Sequence, residues 1–146
     1  MNRSEEFTPF QNKEVEDVFN SYPLKIREKL LLLRELIFNT ASSLSEVGPL
    51  EEALRWEVPS YMTTSTKSGS MIRVHHSPDK PFDFAMYFLC NTTLVKTFKS
   101  LYPKVFRFGG NRSIEFMLSD TLLIDQLKVC IKIALTYNLN KKEVEK

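Results

Sequence analysis

Apolar residues recur at three- and four-residue steps in several stretches of the chain and at two-residue steps or in short unbroken runs in others, which predicts helices mixed with strands. Asn12 can cap a short helix that carries Val15, Val18 and Phe19 on one face. Pro23 stops that helix and suits the first turn of the next, where a backbone N–H would find no acceptor within the helix. In this second helix Ile26, Leu30, Leu33, Ile37, Ala41 and Leu44 form a core-facing stripe. Leu31, Leu32 and Leu36 widen it, so burial on two sides is expected. Gly48-Pro49 ends the element, residues 50–55 read as one or two short helical turns, and Pro59 blocks continuation while pushing Val58 extended.

From Tyr61 the pattern turns strand-like. The polar stretch 63–70 reads as a hairpin loop, 71–76 as a strand, and 82–90, apolar almost throughout, as a central strand. Asn91 or Thr92 can cap a helix running to Leu101. Strands at 105–108 and 113–118 flank Gly109-Gly110-Asn111-Arg112, residues that tolerate the positive φ a tight hairpin needs. Ser119 or Asp120 can cap a last helix bearing Leu123, Leu127, Cys130, Ile131, Ala134 and Leu135. Strict strand–helix alternation is absent, so the prediction is a single α+β domain over residues 12–138, with a mostly antiparallel five-stranded sheet and flanking helices. Residues 1–11 and 139–146 read as flexible tails.

A chain of 146 residues is long enough for one core without covalent staples. The two cysteines, Cys90 and Cys130, lie in apolar runs without metal-ligand spacing and are expected to be buried thiols, which suggests a reducing, cytoplasmic setting. Neither a signal peptide nor a membrane span is expected. With 20 basic and 18 acidic residues the net charge is +2, too balanced to draw nucleic acid by field strength alone. The strand aromatics Phe82, Phe84, Tyr87, Phe88, Phe106, Phe108 and Phe116 sit among Met and Ile and read as core, not as a platform for bases.

Candidate chemistry concentrates around Trp56, the only tryptophan. Glu51 and Glu52 precede it and can offer oxygens to a hard cation, while Glu52, Trp56, Pro59, Ser60 and Tyr61 can together line a ligand pocket. The alternative is a turn whose indole plugs the sheet and whose carboxylates face water. His75 and His76 are neighbours on a strand and point to opposite faces, so they cannot share one metal. Arg73 shares a face with His75, and with the turn 109–112 the pair can form an anion pocket; a simple hairpin also explains that turn. No nucleophile elbow and no phosphate-cradling glycine motif is present, and no nucleophile, base and orienting group can be assembled, so enzymatic activity is not expected.

Several of these features resemble the YdhG-like family of small bacterial domains, also described as frataxin-like. They are Tyr22-Pro23 followed by Leu33-Arg34-Glu35-Leu36-Ile37, Glu52 and Trp56 leading into Pro59-Ser60-Tyr61, the strand Phe84-Ala85-Met86-Tyr87-Phe88, and the closing helix, over roughly residues 12–138. The resemblance implies an α+β fold and a role as an intracellular iron chaperone that holds Fe through surface carboxylates. Under it, the N-terminal acids and Glu51, Glu52 and Glu57 would be the metal-binding residues. The slightly basic balance departs from the strongly acidic surface such a role calls for. Two expectations of different class follow: a module that binds a small ligand or iron, and an interaction domain that docks a protein partner or a second copy of itself.

Overall fold

Residues 7–140 are described by the computed structural model. Two helices come first, α1 (Lys13–Ser21) and α2 (Leu24–Ser42), followed by strands β1 (Glu51–Arg55), β2 (Val58–Met62), β3 (Ile72–His75) and β4 (Phe84–Phe88). Helix α3 (Leu94–Leu101), the hairpin β5 (Arg107–Gly109) and β6 (Ser113–Phe116), and helix α4 (Ile124–Leu135) complete the order. Asn12 caps α1 as expected, its side chain accepting from the Val15 N–H at 2.9 Å. Pro23 occupies the N-cap of α2, and its carbonyl accepts from Arg27 N–H at 2.8 Å.

The fold is α+β, with one six-stranded sheet in the order β1-β2-β3-β4-β6-β5 and every neighbouring pair antiparallel. The sixth strand is the segment 50–55, expected as helical turns. Glu-Glu-Ala-Leu-Arg has good intrinsic helix propensity, but the segment pairs along its whole length with β2, from Glu51↔Met62 to Arg55↔Val58. Tertiary pairing overrides local preference. The two strands are joined by Trp56 and Glu57 alone, both at positive φ (53° and 63°), the backbone signature of a two-residue type I′ hairpin.

One face of the sheet carries Tyr61, Ile72, Val74, Phe84, Met86, Phe88, Ile114 and Phe116, all buried. It packs against the helices: α1 lies on β1 and β2, α2 on β3 and β4, and α4 on α2 and α3. Edge-on aromatic contacts, Phe38 to Tyr61 and Phe88 to Phe98, tie α2 and α3 to the strands. Across the sheet Phe84 stacks on its register partner Phe116 at 5.0 Å. The opposite face carries the register row Ala53, Ser60, Arg73, Tyr87, Ser113 and Gly109. Arg73 and Tyr87 there remain half-exposed.

Other boundaries move for local reasons. Helix α4 starts at Ile124 and not at Asp120, because the Asp120 carboxylate already accepts from Met117 N–H at 2.8 Å in the preceding turn. Helix α3 begins at Leu94; its N-cap residue Thr93 makes no side-chain capping bond, and the Thr92 hydroxyl accepts from the Leu94 N–H at 3.3 Å. Residues 7–11, expected as part of a loose lead-in, run over α2 and β1. Thr8 hydrogen-bonds to Glu35 through its N–H and hydroxyl, and Phe10 packs on Phe19. Residues 139–140, expected in the C-terminal tail, continue the helical backbone, Leu139 N–H donating to Ser68 O at 3.3 Å; residues 1–6 and 141–146 lie outside the described residues. Gln11 lies along the outer edge of β1, donating to Leu50 O at 2.8 Å and accepting from Glu52 N–H at 2.8 Å, while Asn12 donates to Glu52 O at 2.9 Å. These side chains occupy backbone groups that a further strand would otherwise use. No helix among the described residues is long and apolar enough to cross a membrane.

Candidate functional site

The acidic, Trp-containing segment is divided between the two sides of the sheet by the strand and the turn that follows it. Glu52 faces the helices and is buried with Arg34 of α2, which is wholly enclosed. Two parallel bonds join them, Arg34 Nε to Glu52 Oε2 at 2.5 Å and Nη2 to Oε1 at 3.0 Å. Tyr61 Oη donates to Glu52 Oε2 at 2.9 Å, and the Gln11 N–H donates to Oε1 at 3.1 Å. Arg34 donates further to the carbonyls of Thr8 and Pro9 and lies over the rings of Phe10 and Phe38 at 4.2 and 4.9 Å. Burial alone would disfavour its charge, but the Glu52 carboxylate outweighs that and holds the guanidinium above its ordinary value. Burial, then the negative charge of Glu52, push the Tyr61 hydroxyl well above the usual tyrosine range. This triad ties α2, β1 and β2 together, and both Glu52 oxygens are occupied.

Trp56 is on the other side. At the tip of the β1–β2 hairpin the indole is 73% exposed, so it neither plugs the core nor meets Glu52. Its ring lies 4.9 Å from the Arg73 guanidinium, which also lies 5.9 Å from the Tyr87 ring across the β3–β4 register pair. Trp56, Val58, Arg73, His75, Tyr87, Arg112 and Cys90 surround a concavity of about 370 Å³ on the open face of the sheet. A bulky side chain at positive φ is uncommon, and here it sets the ring over the strand.

Two arginines and a histidine line this concavity and no acidic side chain does; Glu115, outside the lining, adds to burial in raising the Tyr87 hydroxyl. Arg73 forms neither an ion pair nor a hydrogen bond with any described residue, and Arg112 forms no ion pair with one. Burial lowers the Arg73 pKa, Tyr87 opposes the shift, and the nearby Arg112 charge adds to it. His75 is lowered by burial and then by His76 and Arg73, which favours the neutral ring. Its Nδ1 lies 2.9 Å from Tyr22 Oη, a contact from the α1–α2 junction. Pairing of β2 with β3 covers only Ser60↔Arg73 and Tyr61↔Ile72.

The sequence candidates therefore divide. Glu52, Pro59 and Tyr61, expected around a pocket with Trp56, are buried on the helix side and line no part of the concavity. Ser60 is on the open face but fully buried, its hydroxyl donating to Val58 O at 2.8 Å. Of the expected ligand-binding set, Trp56 and Arg73 line the concavity. Glu51, Glu52 and Glu57, expected as metal ligands, do not converge: Glu51 pairs with Arg55 at 3.8 Å, Glu52 is held by Arg34, and Glu57 is exposed in the turn. Among the described residues no group of three or more His, Cys, Asp or Glu side chains could hold a metal ion. Cys130 is buried, its thiol pushed up to about 12 by burial, whereas Cys90, also expected inside, is exposed at the rim of the concavity.

Of the anion pocket expected from Arg73, His75 and the backbone of the turn 109–112, Arg73, His75 and Arg112 line the concavity, and Gly109, Gly110 and Asn111 do not. From sequence Tyr87 reads only as a core aromatic, because the apolar run around it masks its alternation with Met86 and Phe88. Comparison of the chain with protein-family models, with curated proteins and with solved structures finds no match.

Proposed function

We propose that the chain is a non-enzymatic module that binds a small anionic ligand on the open face of its sheet, through a carboxylate or phosphate head held by Arg73 and Arg112 and a ring-shaped body laid against Trp56. The observation that carries this is the convergence of two arginines and His75 on one aromatic-walled concavity that no acidic side chain lines. A half-buried guanidinium without a counter-charge is unfavourable, and an arriving anion relieves that cost. The Arg73 cation lies close to two aromatic rings, at 4.9 Å from Trp56 and 5.9 Å from Tyr87, and its N–H groups, which bond to no described residue, are left for an anion. Iron handling, implied by the resemblance, draws no support from Glu51, Glu52 and Glu57, which do not converge, Glu52 being already neutralised; of the N-terminal acids suspected with them, Glu5 and Glu6 lie outside the described residues.

Calorimetric titration with phenyl phosphate, which combines an anionic head with a flat ring, tests the proposal. Saturable binding is expected, weakened about tenfold or more in Arg73→Gln and in Arg112→Gln, since charge-assisted contacts contribute roughly 1.5–3 kcal/mol each. Absence of binding, or equal binding by both variants, would refute it.

A further inference from the structure

A second concavity, of about 280 Å³, lies where the chain leaves β4, lined by Ser70, Met71, Leu89, Asn91, Tyr137 and Asn138. Leu89 lines both it and the cationic concavity, so the two are neighbours. Their chemistry differs, because no charged side chain lines the second. Ser70 is only 7% exposed, yet its Oγ has no hydrogen-bond partner among the described residues. Its backbone N–H is already satisfied by Ala134 O at 2.9 Å, a bond that any residue with an N–H would make. An unpaired buried hydroxyl costs stability, so the fold gains nothing from the Ser70 side chain itself.

Neighbouring polar groups keep capacity in reserve. Asn138 donates through Nδ2 to the carbonyls of Lys67 and Gly69, which leaves Oδ1 to accept. Tyr137 Oη accepts from the Thr93 N–H at 3.2 Å and retains its own proton to donate. Asn91 is exposed beside them. Uncharged donors and acceptors beside the apolar Met71 and Leu89 match a ring with hydroxyls at its edge and C–H groups on its faces.

We propose that this cleft is a subsite for the polyhydroxylated part of the ligand, so that the protein binds an anionic sugar whose acidic head meets Arg73 and Arg112 and whose hydroxyls reach Ser70 Oγ. The proposal rests on the anion site described above and specifies the class of ligand that site takes. Calorimetry with inorganic phosphate, glucose 6-phosphate and glucuronate, on the wild type and on Ser70→Ala and Asn91→Ala, tests it, the two sugars distinguishing a phosphate from a carboxylate head. At least one sugar is expected to bind about tenfold or more tighter than inorganic phosphate, and Ser70→Ala is expected to remove about fivefold or more of that advantage. Affinity for inorganic phosphate, and the melting temperature, should not fall in Ser70→Ala. Sugars that bind no tighter than inorganic phosphate, or an advantage that survives both substitutions, would overturn the subsite and leave the anion site standing. Failure of inorganic phosphate and both sugars to bind at all would overturn the anion site together with it.

Discussion

Arg34 and Arg73 show how the surroundings of a side chain decide its role. Arg34 is enclosed, doubly bonded to Glu52 and flanked by Phe10 and Phe38, so its charge is compensated within the fold. Arg73 has the aromatic flanks without the carboxylate. Glu52→Gln should destabilise the protein by about 3–5 kcal/mol, because it leaves a buried guanidinium without its main counter-charge, and urea unfolding monitored by circular dichroism would measure the loss. A change within about 0.5 kcal/mol would mean the pair contributes little. His75 offers a second test. Its depressed pKa keeps it neutral near pH 7, and an adjacent anion favours the protonated ring, so binding takes up a proton and tightens as pH falls through the lowered pKa. Affinity for benzenesulfonate, whose own charge is fixed, should therefore rise severalfold from about pH 7.5 to about pH 5. His75→Gln should flatten that profile, which separates it from His76, whose Nδ1 contacts Asp83 O at 2.6 Å. A profile unchanged by the substitution would remove His75 from the site.

Among the elements, the hairpin of β1 and β2 contributes most to the site and was least legible in the sequence. The helices could be read because their apolar stripes are long: Ile26, Leu30, Leu33 and Ile37 leave little choice of face, and all four are buried. Strand β1 could not, because Glu51–Arg55 is too short to show a period and its composition favours a helix. Nor does its turn use the Asn-Gly or Asp-Gly pair that normally marks such a hairpin; Trp56 and Glu57 adopt the left-handed conformation instead. Local rules broken at one point often coincide with function, and here the broken rule aims the indole at Arg73. Trp56→Asn combined with Glu57→Gly should raise stability by about 1–2 kcal/mol and weaken phenyl phosphate binding at the same time. Gains in both, or losses in both, would dissociate the turn's strain from ligand binding.

Over the whole molecule, the sheet has two faces with separate tasks. The face toward the helices holds the core and the Arg34–Glu52–Tyr61 triad. The open face gathers Arg73 and His75 from β3, Tyr87 from β4, Arg112 from the β5–β6 turn and Trp56 from the β1–β2 turn. The two-residue period placed Arg73 and His75 together, but their meeting with Tyr87 and Arg112 depends on strand order and register, which no local stretch of sequence encodes. Glu52 and Trp56, four residues apart, share a strand's parity and read from sequence as parts of one site; they lie on different sides of the sheet because Trp56 belongs to the turn, at positive φ, and not to the strand. Trp56 is the only tryptophan, so the tryptophan component of the emission reports on the concavity. The most direct test is therefore a titration with phenyl phosphate followed by tryptophan fluorescence. A saturable change in emission is expected for the wild type, weakened by added salt and lost in the Arg73→Gln, Arg112→Gln double variant. Emission that stays flat, or that responds equally in the double variant, would contradict an anion site on the open face.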